Sequence, residues 1–226
     1  NIYVSDNIGF IYALDLATGK TLWVKNHGVP LKSKIKVFNG KIFLINQDNR
    51  ILCFDIKDGT IIWDVRSISS FIKSKNLLSL AFGKDNSLVA STTSGEIIKI
   101  NLTNGSVIWS ANITGGSSAS STDFFQSSDI VIDNNSIFYS TKSLFFSYNL
   151  TAGMNNWNTK VSSVTTPIIN GKNIFLVTEN GYLVILNKKS GKIVSSSNIL
   201  KILKKKKQST RITGFIMGSG KIYSVN

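Results

Sequence analysis

Short apolar runs recur along the chain, each bounded by glycine, asparagine, serine or a charged residue: Ile2–Val4, Ile42–Ile45, Leu88–Ala90, Ile137–Tyr139 and Ile174–Val177. Runs this short, rich in β-branched and aromatic residues, predict β-strands rather than helices. Further strand candidates precede four of them, at Lys34–Phe38, Leu78–Phe82, Asp129–Ile132 and Pro167–Ile169. No stretch approaches the roughly 18 continuous apolar residues of a membrane-spanning helix.

Each run leads into one copy of a repeated unit. The first copy reads Gly9-Phe-Ile-Tyr-Ala13-Leu-Asp15-Leu-Ala-Thr18-Gly19-Lys-Thr-Leu-Trp23. The second runs from Asn49 through Cys53, Asp55 and Gly59 to Trp63, and the third from Gly95 through Asn101 and Gly105 to Trp109. The fourth runs from Ser143 through Asn149 and Gly153 to Trp157, and the fifth from Gly181 through Asn187 and Gly191 to Ser195, where the tryptophan is lost. In all five the first residue lies 14 positions before the last, whereas successive last residues are 40, 46, 48 and 38 apart. A constant core with variable connections is the mark of a structural repeat.

The Asx side chain can accept backbone amides ahead of it, and the glycine four residues on can take positive φ. Together they make a tight turn between the third and fourth strands of each unit. Four strands in about 40 residues is the size of a propeller blade. The expected architecture is all-β, a single β-propeller domain over 1–226 built of four-stranded antiparallel blades. The blades fall near 32–65, 76–111, 128–159 and 164–197, with partial blades at 1–25 and 211–226.

The repeat resembles the tryptophan-docking motif of pyrroloquinoline-quinone-repeat propellers, Ala-x-Asp-x-x-Thr-Gly-x-x-x-Trp. Copy one matches it at Ala13, Asp15, Thr18, Gly19 and Trp23; later copies replace the Ala with Cys53, Lys99, Ser147 and Ile185. The resemblance implies that Trp23, Trp63, Trp109 and Trp157 pack against the neighbouring blade. It also implies structural roles for Asp15 and Asp55 and for Gly19, Gly59, Gly105, Gly153 and Gly191. The interface after Ser195 is expected to be looser. Relatives of this type have six to eight blades, so the chain is expected to be a fragment of such a ring.

Two branches of that family frame the function. Quinoprotein dehydrogenases use adjacent cysteines, Ca²⁺ ligands and a catalytic Asp; outer-membrane assembly lipoproteins of the BamB type are scaffolds. Cys53 is the only cysteine and His27 the only histidine. An adjacent cysteine pair and an intrachain disulfide are therefore outside this chain's means, and a zinc cluster of cysteines and histidines would need ligands it does not contain. Asp15 and Asp55 stand at a repeated turn position, which gives them a structural reason. The expectation is no catalytic residue, no metal and no cofactor. The favoured reading is a non-catalytic scaffold of the periplasm or cell envelope. It binds envelope proteins of the outer-membrane barrel-assembly machinery and is tied to the membrane through a lipid anchor outside this chain. A quinoprotein dehydrogenase fragment and the ligand-sensing propeller of a larger protein are the alternatives.

Charge adds little to this. The 26 basic and 12 acidic residues give +14, an excess that attracts acidic partners or anionic lipid, but a Lys-, Asn- and Ile-rich composition also arises from AT-biased coding. Two segments are candidate contact surfaces. One is the loop 117–126, where Phe124 and Phe125 cannot both face the same side of a strand. The other is Lys201–Lys207, with Lys204, Lys205, Lys206 and Lys207 in a row; lacking interleaved aromatics, it does not suit nucleic acid. The Gly/Ser-rich stretch 115–122 reads as a connection between blades.

Overall fold

The structure, a computed structural model, describes residues 1–67, 77–113, 127–163, 165–202 and 212–225. Apart from a 3₁₀ turn at Leu200–Ile202, every regular element among the described residues is a β-strand. The chain forms two compact units, Asn1–Ser117 and Ser118–Asn226.

The first unit opens with a three-stranded sheet, β1 (Ile2–Ser5), β2 (Phe10–Leu14) and β3 (Thr21–Asn26). A four-stranded blade comes next: β4 (Lys36–Phe38), β5 (Lys41–Ile45), β6 (Arg50–Asp55) and β7 (Ile61–Arg66). The third sheet is β8 (Leu80–Gly83), β9 (Ser87–Ser91), β10 (Glu96–Asn101) and β11 (Val107–Asn112). The second unit holds the blade β12 (Val131–Asp133), β13 (Ser136–Ser140), β14 (Phe145–Asn149) and β15 (Asn155–Thr159). It continues with β16 (Ile168–Asn170), β17 (Asn173–Val177), β18 (Tyr182–Asn187) and β19 (Ile193–Asn198), then the pair β20 (Gly214–Gly218) and β21 (Lys221–Val225). All pairings within these sheets are antiparallel between sequence neighbours.

Strands β5 and β6 are buried on both faces, because their blade is stacked between the first sheet and the third. In β5 and β6, Ile42, Leu44, Leu52 and Phe54 pack toward the first sheet with Ile11. Phe43, Ile45, Ile51 and Cys53 pack the other way, against Leu80, Leu88, Ala90 and Ile98 of the next blade. The apolar runs are continuous rather than alternating for this reason. In the second unit Phe138 and Phe145 pack on Ile174, Leu176, Val184 and Leu186. Phe175 and Val177 pack on Ile212 and Phe215.

The lead-in residues differ from expectation. The strand candidates at 34–38 and 78–82 shorten to β4 and β8, because the residues before them pair elsewhere. Leu31 bridges Asn46, and Ser33 bridges Leu78 of the next blade in parallel. Serine and threonine hydroxyls fix these entries. Ser33 Oγ accepts from Ile45 N, Ser91 Oγ from Ser79 N and Ser128 Oγ from Ser140 N, each pair 12 residues apart. Thr165 and Thr213 hydroxyls donate to Val177 O and Val225 O at the same separation of 12 residues.

Copy four also departs from the common frame. In the others, the residue opening the second hairpin (Asp6, Asn46, Thr92 or Thr178) donates its N–H to the carbonyl four residues on. In copy four Thr141 N reaches Leu144 O instead. The turn is one residue shorter, so Ser143 is not the counterpart of Gly9, Gly95 and Gly181, which take positive φ.

After four of the five outer strands the chain folds back over the second-hairpin turn: His27, Ser67, Ile113 and Ile199 donate N–H to the carbonyls of Gly9, Asn49, Gly95 and Gly181. His27 then lays its ring on Phe54, centroids 4.4 Å apart, with Nε2 buried and without a hydrogen-bond partner. Burial, helped by the Lys25 charge, holds its pKa below the ordinary value. The neutral ring is therefore the folded form, while the unfolded chain takes up a proton near the ordinary histidine value. Its contribution is full above that value and is lost as pH falls toward the folded-state pKa. Between pH 7.5 and 5.5 the protein is expected to lose urea resistance that His27→Gln retains; parallel profiles for the two would exclude this role.

Candidate functional site

The repeated turn is the best-defined constellation in the molecule. Asp15 Oδ1 accepts from Ala17 N, Thr18 N and the Thr18 hydroxyl at 3.1, 2.8 and 2.8 Å. The Thr18 bonds outweigh desolvation and hold this carboxyl below its ordinary range. Asp55 accepts from Lys57 N, Asn101 from Thr103 N, Asn149 from Ala152 N and Asn187 from Ser190 N. The turn closes with a second bond, from the glycine N–H to the Asx carbonyl, at Gly19, Gly59, Gly105, Gly153 and Gly191. These five glycines have φ of 68, 72, 75, 68 and 69°, which favours glycine.

The turn also receives the indole of the preceding blade. Trp23 Nε1 donates to Ile56 O at 3.2 Å, Trp63 Nε1 to Leu102 O at 3.3 Å and Trp157 Nε1 to Lys188 O at 3.2 Å. In each case the acceptor is the residue just after the Asx. Its own N–H is tied down inside its blade, Ile56 to Gly40 O, Leu102 to Asn86 O and Lys188 to Lys172 O. A backbone acceptor carries no residue-type signal of its own, and Ile, Leu and Lys all serve.

The rings approach the turn glycines closely. A Cβ at Gly59 would sit 2.7 Å from Trp23 Cζ3, and one at Gly105 2.8 Å from Trp63 Cδ2; at Gly191 it would run into Trp157. A Cβ at Gly19 meets nothing within 4 Å. Two cations reinforce the contacts: Lys188 Nζ donates to Asp133 Oδ2 of the preceding blade at 2.8 Å, and Lys41 Nζ to Thr103 O of the next at 3.4 Å.

Across the ladder, Trp23, Trp63, Trp109 and Trp157 stand opposite Ala13, Cys53, Lys99 and Ser147, and Ser195 opposite Ile185. A bulge comes immediately after in all five pairs. The position that varies in the motif is thus the indole's cross-strand neighbour. It is small beside three of the four rings, and larger where serine replaces tryptophan. Lys99, 3% exposed, is the exception in size. It satisfies its ammonium on Asp85 Oδ2 at 2.6 Å. Desolvation pushes the Asp85 carboxyl up, but the bonds from Lys99 and Ser87 hold it below its usual range.

None of this is reactive chemistry. Cys53 is buried beside Trp63, and burial pushes its thiol up to about 11, away from nucleophilic character. Among the described residues no three His, Cys, Asp or Glu side chains converge to hold a metal. With one cysteine, the sequence holds no adjacent cysteine pair of the quinoprotein type. Phe124, Phe125, Lys204, Lys205, Lys206 and Lys207 lie outside the described residues.

Comparison with known proteins places these repeats. Outer membrane protein assembly factor BamB of Shewanella oneidensis is 26% identical over 221 residues, covering 85% of this chain and 53% of its own length. The chain thus spans about half of that relative. The crystal structure of BamB from Moraxella catarrhalis superposes with a TM-score of 0.65 at 15% identity, covering 98% of this chain and 77% of that one. A europium-containing methanol dehydrogenase superposes at 0.67 and 13% identity, covering 87% and 49%. At these identities both likenesses speak for the fold, a β-propeller of four-stranded blades. The family model described as outer membrane protein assembly factor BamB matches residues 1–197, and the chain belongs to that family of quinone-type-repeat propellers.

Proposed function

We propose that the protein is a non-catalytic scaffold of the bacterial cell envelope that binds other envelope proteins and serves outer-membrane β-barrel assembly. The observation that carries this reading is the family match over residues 1–197. The site chemistry supports it: the motif's polar groups are engaged in turns and interblade contacts, and the only thiol is buried. The segment with Phe124 and Phe125 and the run Lys204–Lys207 are the contacts assigned to the partners. A lipid outside this chain holds the protein at the periplasmic face of the outer membrane.

A second reading, a quinoprotein dehydrogenase whose active blades lie outside this sequence, is favoured by the fold shared with methanol dehydrogenase. One experiment separates the two. The full-length protein is titrated with quinone and Ca²⁺ by calorimetry, dye-linked alcohol oxidation is assayed in parallel, and the same protein is used for affinity capture from envelope extract. The expected result is no saturable heat, no turnover and recovery of barrel-assembly components. Tight quinone binding with turnover would replace the scaffold reading.

A further inference from the structure

The hairpin joining β4 and β5 and the two turns of the next blade enclose a solvent-open cleft of about 60 Å³, lined by Phe38, Asn39, Lys41, Phe43, Asn86 and Thr103, among others. That is below the roughly 300–1,000 Å³ of a cofactor or small-molecule site and suits a single side chain. Its apolar wall is Phe38, 41% exposed and held by Phe82 at 5.1 Å between centroids. Its polar side is rich in donors. Asn39 and Asn86 take positive φ of 47° and 57° at the two hairpin corners. Asn86 Nδ2 uses one proton on Thr103 Oγ1 at 3.1 Å, which leaves the second for a ligand.

Lys41 is the charged group. Asp55 stands opposite it across the ladder, but an Asp55 oxygen accepts Lys57 N within its own turn. Lys41 Nζ crosses instead to Thr103 O, a long contact of 3.4 Å. No ion pair to Lys41 occurs among the described residues. An ammonium has three donors, so most of this one's capacity faces the opening. The strands that begin at the corresponding corner elsewhere start with Ser87, Ser136, Asn173 and Lys221. Lysine recurs at this corner only at Lys221, and among the described residues the contact from this corner to a following blade is that of Lys41 to Thr103 O.

We propose that this cleft docks one acidic side chain of a partner protein, its carboxylate on Lys41 Nζ and the Asn86 amide and its stem against Phe38. The inference rests on the scaffold reading. The test is a titration of the intact ¹⁵N-labelled protein with acetyl-Phe-Asp-amide and with acetyl-Phe-Asn-amide, monitored by amide shifts. The expected result is shifts grouped at residues 38–41, 86 and 102–103 for the acidic peptide. Affinity should fall roughly fivefold in Lys41→Met, the upper end for an exposed ion pair. Asn86→Gly, which keeps the corner's positive φ, should weaken binding in the same direction. Equal shifts from the neutral peptide, shifts scattered over the surface lysines, or an affinity unchanged by Lys41→Met would each overturn the proposal. Capture of envelope partners at undiminished strength by the Lys41→Met protein would overturn the cleft while leaving the scaffold standing.

Discussion

Trp63→Ala is expected to destabilise the protein by about 3 to 5 kcal/mol, the range for truncating a buried large aromatic. Two losses combine. The indole, 8% exposed, packs with Phe43, centroids 5.8 Å apart, in the cluster that joins two blades, and its removal leaves a cavity there. Leu102 O also loses the indole N–H, and a buried acceptor without a partner costs about 1 to 3 kcal/mol on its own, part of which is already inside the truncation range. Trp23 and Trp157 make the same bond but are only partly buried, so their truncation is expected to cost less. Urea unfolding monitored by circular dichroism gives the comparison. A soluble Trp63→Ala protein with an unchanged midpoint would mean that the indole does not hold the blades together.

Much of this interface is legible in the sequence because its parts are rare residue types at fixed spacing. Tryptophan, the Asx and the turn glycine recur in register, and short β-branched runs between them define strands without ambiguity. The parts that sequence patterns do not mark are carried by the backbone or by common residues. The indole's acceptor is a carbonyl, at Ile56, Leu102 or Lys188, with no residue-type signal of its own. The hydroxyls that anchor each blade's entry, such as Ser33 and Ser128, are lost among many serines. The shortened turn at Thr141 is hidden because counting back 14 positions from Trp157 lands on Ser143, an acceptable turn residue. Lys99 reads as a mismatch to the motif's alanine until Asp85, 14 residues away, meets it. The proposed partner cleft is invisible in sequence for a related reason: it is assembled from two hairpin corners on different blades.

Gly105→Ala supplies the second large effect, and its coupling to Trp63 is the sharper test. Two costs apply to the substitution. An alanine at φ of 75° is disfavoured by about 1 to 2 kcal/mol on backbone grounds alone. Its Cβ would also lie 2.8 to 3.0 Å from Trp63 Cδ2, Cγ and Cε3, so the indole must shift inside a packed interface, at about 1 to 3 kcal/mol. Gly19→Ala isolates the first cost, since φ is 68° and nothing among the described residues lies within 4 Å of the added carbon. If the glycine serves the indole, the two substitutions cannot add. With Trp63→Ala already made, the Cβ at 105 meets no ring, and Gly105→Ala should cost no more than Gly19→Ala. The interaction energy in the double-mutant cycle is then favourable by about 1 to 3 kcal/mol. Full additivity would mean that residue 105 needs glycine for the turn alone, and that the close approach of the ring is incidental.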